Sequence, residues 1–307
     1  MNPSLIEAAY ARIAPHLRRT PLLRLKAGEF GIDAALTLKL ELMQHAGSFK
    51  PRGALNRMLS AEVPTAGVIA ASGGNHGVAV AWAARRLGVR AEIYVPAVAS
   101  AAKIERIRGY GAVANVGGAN YAEALAASGA RASQTGALVV HAYDQAETIA
   151  GQGTVALEIE QDAPALDTLL VACGGGGLVA GIAAWYAGRI KVVAVEPQAC
   201  PTLHAALRAG GPVDVEVGGI AVDSLGARRV GDLVYPLAAR QVAAVVLTSD
   251  AAIRDAQKAL WRELRVAAEP GGAAALAALL SGAYRYTPGE RIGVLVCGGN
   301  LDPATLA

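Results

Sequence analysis

Lys50 lies in the run Gly47-Ser48-Phe49-Lys50-Pro51-Arg52-Gly53. The strand-like run Leu36–Glu41 leads into it, and a helical pattern with Ala54, Leu55, Met58 and Leu59 on one face leaves it. Pro51 suits a first helical turn, where its missing N–H is not needed. A lysine at the positive end of a helix dipole is disfavoured as an ammonium ion, and a neutral lysine is a nucleophile able to form a Schiff base. Taken alone, a solvated lysine on a first turn is the simpler reading. Other stretches reverse that. Ser72-Gly73-Gly74-Asn75-His76-Gly77 follows an apolar run and opens a helical one, where small residues admit a ligand and free N–H groups suit an anion. Cys173-Gly174-Gly175-Gly176-Gly177-Leu178 stands at a similar junction, and four consecutive glycines can form a nest for phosphate. Val296-Cys297-Gly298-Gly299-Asn300 ends the last apolar run, and Glu269-Pro270-Gly271-Gly272 precedes a helix. Each has a plainer reading: a capped turn, a flexible turn, a buried small thiol and a carboxylate near a helix start.

These stretches need elements to hold them. Residues 4–18 read as an amphipathic helix, with Thr20–Leu23 extended after it. Strands are expected at 36–41, 67–71, 91–95, 112–116, 138–140, 168–172, 191–195, 242–247 and 292–296. Helices are expected after Lys50 and at 75–87, 101–108, 121–132, 148–160, 178–186, 202–209, 250–264 and 272–282. A glycine-rich segment spans 211–231. The strands are continuous apolar runs, as in sheets covered on both faces, and their alternation with helices predicts an α/β protein with mostly parallel sheets. Residues 58–138 read as a smaller lobe inserted into a larger one built from 1–57 and 139–307.

Composition narrows the classes. The chain has 307 residues, 53% hydrophobic and 17% charged, which fits a globular protein and not a disordered one. A net charge of +3 without basic runs gives no sign of nucleic-acid binding. Cys173, Cys200 and Cys297 are odd in number and form no CxxC pair, so a reducing cytoplasm is expected. The N-terminus shows no signal peptide. Thr168–Gly188 is uncharged and long enough to span a bilayer, yet its four glycines predict strand, turn and helix. One rival cofactor stays open. Gly175-x-Gly177-x-x-Ala180, with Glu196 about 20 residues on, matches the dinucleotide fingerprint of an NAD-dependent oxidoreductase.

The Ser-Phe-Lys segment, the Ser-x-Gly-Asn-His turn, Ile149-Ala150-Gly151-Gln152-Gly153-Thr154, the four-glycine loop and the Cys-Gly-Gly-Asn terminus occur together and in order. As a set they resemble the pyridoxal-phosphate enzymes of fold type II, the tryptophan-synthase-β-like fold, and within it the serine/threonine dehydratases. The resemblance implies two open, twisted, mostly parallel sheets in a large and a small lobe. It implies that Lys50 carries the cofactor by a Schiff base and, once freed, removes the substrate's α-proton. Gly174, Gly175, Gly176 and Gly177 would bind the cofactor phosphate, which would protonate the leaving hydroxyl. Asn75 would bond the ring hydroxyl, Cys297 would face the pyridine nitrogen, Phe49 would line the cleft and Glu269 would lie near the ring. Ser72, Gly73, Asn75 and His76 would receive the substrate carboxylate. The implied reaction turns L-threonine or L-serine into a 2-oxo acid and ammonia.

Departures from the family pattern qualify this. Related racemases carry a second serine where Gly73 stands, so slow or absent racemisation is expected. Some relatives bind a divalent ion through a glutamate, a carbonyl and an aspartate. Here the positions are Glu196, Cys200 and Thr202, which suits a monovalent cation such as potassium, completed by the carbonyls of Leu225 and Ala227. The biosynthetic threonine enzymes carry an extra regulatory domain, which is not expected in a chain ending at Ala307. A homodimer is implied. A dehydratase of another β-hydroxy amino acid (3-hydroxyaspartate or a hydroxyectoine-derived acid), a racemase and a non-catalytic amino-acid-binding protein remain as rivals.

Overall fold

The computed structural model describes residues 1–306. The strands are β1 Leu22–Leu25, β2 Leu36–Lys39, β3 Val68–Ala71, β4 Ala91–Val95, β5 Val113–Val116, β6 Leu138–Val139, β7 Thr168–Ala172, β8 Lys191–Pro197, β9 Ala244–Thr248 and β10 Ile292–Leu295. The helices are α1 Pro3–Ile13, α2 Pro51–Leu59, α3 Asn75–Leu87, α4 Ala101–Gly109, α5 Tyr121–Thr135 and α6 Ala146–Asp162 in the first half. In the second half they are α7 Gly177–Tyr186, α8 Thr202–Ala209, α9 Val222–Leu225, α10 Val234–Gln241, α11 Asp250–Leu264 and α12 Pro270–Leu280.

Two sheets result, as the alternation predicts. One runs β1-β2-β10-β7-β8-β9 and the other β5-β4-β3-β6. All pairings are parallel except β1 with β2. The central strands β3, β7 and β10 are buried along their whole length, because helices cover both faces. The uncharged stretch 168–188 is β7, the glycine turn and α7, and no helix among the described residues is long and apolar enough to cross a membrane. The core beneath the smaller sheet also takes Ile13, Ala46, Ala54 and Leu55, from segments earlier than 58.

Three local readings differ from the structure. The first helix stops at Ile13, and a short 3-10 turn carries Pro15, whose ring would collide with the preceding turn of an α-helix. Leu22–Leu25 is a full edge strand. Helices α9 and α10 were not expected. In α10, Pro236 falls within the first turn, where a proline is tolerated.

Helix α6 joins the two halves of the molecule. It packs on α1, α2 and α7 and is buried from Thr148 to Ile159. Its glycines permit this: a Cβ on Gly151 would lie 2.5 Å from the Arg52 carbonyl, and one on Gly153 would lie 2.8 Å from the Gly181 carbonyl. That accounts physically for the Ile149–Thr154 motif as a helix crossing.

At this crossing lies a buried quartet of charges. Arg52 donates through Nε and Nη2 to Glu41, at 2.8 and 2.7 Å, and through Nη1 and Nη2 to Glu158, both at 2.9 Å. Lys39 donates to Glu158 at 2.7 Å and to the Thr20 carbonyl at 2.9 Å. Burial pushes the Glu41 carboxyl up, but the Arg52 guanidinium more than compensates and holds it below its ordinary value. Arg52→Met leaves two buried carboxylates short of a cation. Breaking such a pair from one side costs roughly 3–5 kcal/mol. Urea unfolding of Arg52→Met should show a loss of that order, and a loss near zero would mean that the quartet does not hold the crossing.

Candidate active site

The site forms beyond the carboxyl ends of β3, β7 and β10, where open α/β sheets bind ligands. Lys50 caps α2, with Pro51 in the first turn. Phe49 N–H donates to the Cys297 carbonyl at 3.1 Å, and Ser48 bridges to Gly298, so the Lys50 segment runs beside the end of β10. Phe49, Lys50, Asn75, Gly174–Gly177, Glu269 and Cys297 all line one pocket. Tyr143, Ser224 and Leu225 also line it.

Lys50 Nζ donates to the Ala142 carbonyl at 2.9 Å and lies 5.1 Å from the Phe49 ring centre. Its pKa is lowered to about 8. Burial is the main cause, and Cys297 and Glu269 act in the opposite direction. The helix-dipole argument gave the right direction, but burial is the cause that lowers the pKa. Cys297 is buried, its Sγ 3.4 Å from the Gly271 carbonyl, and burial pushes the thiol up to about 12. It is therefore a neutral thiol at physiological pH. Burial also raises Glu269, to about 7, against the hydrogen bond from Asn75 and the charges of Lys103 and Arg106.

The glycine loop is shaped by contact. A Cβ on Gly175 would lie 2.4 Å from the Tyr143 ring, and one on Gly177 would lie 2.7 Å from the Tyr143 carbonyl. Gly176 has φ +85°, which favours glycine. Among the described residues, none of the N–H groups of Gly174, Gly175, Gly176 and Gly177 donates to a protein acceptor. Four unused donors at the start of α7 fit a phosphate. Together with a neutralisable Lys50 and a thiol on the floor, they fit pyridoxal phosphate: an aldehyde partner, an anion cradle and a group facing the ring.

The Ser72–His76 turn closes the other side. Gly74 N–H donates to Ser72 Oγ at 3.1 Å, while the N–H groups of Gly73, Asn75 and His76 have no protein acceptor among the described residues. These suit a carboxylate. The His76 ring is buried, with Nε2 2.8 Å from the Val140 carbonyl, so this residue faces the turn through its backbone. Its pKa is lowered to about 3, first by burial and next by the Lys50 charge, which keeps the ring neutral.

Glu196, Cys200 and Thr202 lie together at the end of β8. Glu196 accepts from the N–H groups of Leu203 and His204 at 2.7 and 2.9 Å, and Thr202 Oγ1 donates to the Ala227 carbonyl at 2.6 Å. Glu196 is fully buried, which denies a ribose the carboxylate that the dinucleotide reading requires. Among the described residues no three His, Cys, Asp or Glu side chains cluster in a metal-binding arrangement.

The sequence reading missed Tyr143 and Ser224. Tyr143 sits alone in the loop after a two-residue strand, and Ser224 lies in the glycine-rich segment, so neither belongs to a periodic pattern.

A family model described as "Pyridoxal-phosphate dependent enzyme" matches residues 13–298. A phenylserine dehydratase of Ralstonia pickettii is 37% identical, covering 99% of this chain and 94% of its own. An L-threonine ammonia-lyase of Geobacter sulfurreducens is 36% identical, covering 99% and 77%. The structure of maize serine racemase superposes with a TM-score of 0.93 at 36% identity, covering 99% of this chain and 95% of that one.

The Lys50 environment can be tested on the cofactor-free protein. Acylation of Lys50, followed by mass spectrometry, should climb with pH as the amine loses its proton and level off above about 8. An ordinary lysine keeps climbing toward ~10.4. A Lys50 profile that follows the ordinary one would refute the buried environment.

Proposed function

The chain belongs to the pyridoxal-phosphate dependent enzyme family, and on that premise we propose that it is a dehydratase of L-threonine and L-serine, releasing a 2-oxo acid and ammonia. The observation that carries this reading is the convergence of Lys50 Nζ, four unused glycine N–H groups and a neutral Cys297 in one pocket.

The bound cofactor supplies an electron sink for the pair left when the substrate's Cα–H bond breaks. The chain's own residues do the rest. The N–H groups of Gly174–Gly177 bind the phosphate. The N–H groups of Gly73, Asn75 and His76 orient the substrate carboxylate, with Ser72 Oγ ordering the turn. Burial favours the neutral form of the Lys50 amine, which suits it to serve, once free of the cofactor, as the base that takes the α-proton. Cys297 keeps its proton and so offers no negative charge to hold a ring nitrogen protonated. That weakens the sink and supports elimination over transamination.

Gly73 supports elimination over racemisation. Racemisation needs a second base opposite Lys50, and position 73 has no side chain. A Cβ there would lie 2.6 Å from Ala99 Cβ, so a serine requires the 96–99 segment to move. The proposal includes a smaller lobe at 58–138, a cytoplasmic homodimer, and potassium at Glu196, Cys200 and Thr202. The 2.6 Å approach of Thr202 Oγ1 to the Ala227 carbonyl supports the cation by bringing two of its oxygen ligands together. A rise in Tm with potassium over tetramethylammonium tests the ion, and no response removes it.

The activity test begins with the absorption spectrum of the purified protein, then turnover of L-threonine, L-serine and 3-hydroxyaspartate with 2-oxo acid assayed. A visible band that borohydride removes, leaving an adduct on Lys50, is expected along with 2-oxobutanoate from threonine. Lys50→Ala should lose both. D-serine should form at least ~100-fold more slowly than pyruvate, since the second base is absent. The band with 3-hydroxyaspartate as the only substrate would replace the substrate class. The absence of any band after adding pyridoxal phosphate would overturn the reading.

A further inference from the structure

Helix α4 belongs to the smaller sheet's side of the cleft, and Ile107 anchors it in that core. Two cations leave the same helix toward the other side. Lys103 pairs with Asp223, just ahead of Ser224 at the pocket wall, and Arg106 Nη1 donates to Asn300 Oδ1. Asn300 lies just past Cys297–Gly299. Its Nδ2 donates to the Ala46 carbonyl at 2.8 Å and to Asn75 Oδ1 at 2.7 Å. Asn75 Nδ2 in turn donates to Glu269 Oε1.

The direction of this chain is set at both ends. A guanidinium can only donate and a backbone carbonyl can only accept, and Glu269 Oε1 accepts from Asn75 either as a carboxylate oxygen or as the carbonyl oxygen of the neutral acid. Asn300 therefore has one self-consistent orientation, with its oxygen toward Arg106 and its amino group toward Ala46 and Asn75. Asn75 is fixed in consequence, with its oxygen toward Asn300 and its amino group toward Glu269. Nδ2 carries two hydrogens, so one remains for a ligand in the pocket. The backbone is fitted to the relay: Gly47 has φ +74°, and a Cβ there would lie 2.2 Å from Asn300 Oδ1. Gly298 is fitted too, because a Cβ there would lie 2.0 Å from Glu269 Oε1.

We propose that Arg106 is a positioning residue: through Asn300 it fixes the Asn75 amide against Glu269, so that docking of α4 sets the hydrogen-bond polarity and charge at the pocket floor. The inference rests on the reading that this pocket holds the cofactor, but its chain of contacts belongs to the protein alone. Glu269 is faced by Asn75, the Asn300 N–H, Lys103, Arg106, Cys297 and Lys50. Arg106 is the only one of these that also holds the relay's far end. Loss of its charge favours the protonated form of Glu269, and loss of its donor leaves Asn300 Oδ1 without its partner.

The test is the titration of the Glu269 carboxyl in the cofactor-free protein, read by carbon-13 NMR and assigned with Glu269→Gln. In Arg106→Met the midpoint should rise by roughly half a pH unit or more, since a positive charge has been removed from a buried carboxyl. Arg106→Lys should restore most of it. Asn300→Ala, which breaks the relay but keeps Arg106, should raise the midpoint less and weaken pyridoxal-phosphate uptake by roughly tenfold, as one buried hydrogen bond is worth. A merely structural Arg106 would lower Tm and leave the Glu269 midpoint unchanged, and that outcome overturns the proposal. Failure of the wild-type protein to take up pyridoxal phosphate would instead overturn the functional reading, while the Glu269 titration still decides the relay.

Discussion

The architecture depends on charge neutrality inside the crossing of α2 and α6. Arg52 and Lys39 meet Glu41 and Glu158 where all four side chains are buried. Two cations balance two carboxylates, and nearly every polar atom has a partner, which is the condition under which buried ions are tolerated. The quartet gathers the strand before the lysine segment, the helix after it and the long helix α6. Arg52 is two residues from Lys50. A group that fixes Arg52 in four directions also fixes the start of α2, and the lysine's placement opposite Ala142 follows from it. Close helix contact adds to this, since glycines at 151, 153 and 181 let backbones touch where side chains could not fit.

What the sequence made legible was chemistry that repeats locally. Lys50 before a proline, a small polar turn after β3 and four glycines after β7 each sit at a junction of apolar periodicities, so residue type and position agree. Gly174–Gly177 were readable because four glycines in a row weaken any ordinary element. The quartet was not legible, because Arg52 and Glu158 are separated by 106 positions. Isolated charges of this kind read as solvated surface until the fold pairs them. Arg106 and Asn300 are 194 positions apart and were hidden for the same reason. Tyr143 escaped because a lone aromatic in an irregular loop has no periodic neighbours. Its role appears only when its ring is seen against Gly175. Helix α10 was obscured by Pro236, which breaks helices except in their first turn, where the structure places it.

The pocket floor shows how burial alone differentiates three titratable groups. Desolvation disfavours whichever form is charged, so it lowers Lys50 and raises Glu269 and Cys297. The lysine and the carboxyl are brought to within about one unit of neutrality, at about 8 and about 7, while the thiol is driven out of the physiological range. The floor thus contains one group that can accept a proton, one carboxyl whose charge responds to the cations of α4, and one that stays neutral. An aspartate in place of Cys297, ionised where it pairs with a ring nitrogen, would stabilise the protonated form of that nitrogen. A stronger sink lengthens the life of a carbanion and opens routes to transamination. A neutral thiol, with no side chain at Gly73, leaves a site with a base on one face and a modest sink. In the dehydratase proposed here, departure of a β-hydroxyl would be favoured over reprotonation from the opposite face, because two positions lack the groups that the other reactions need.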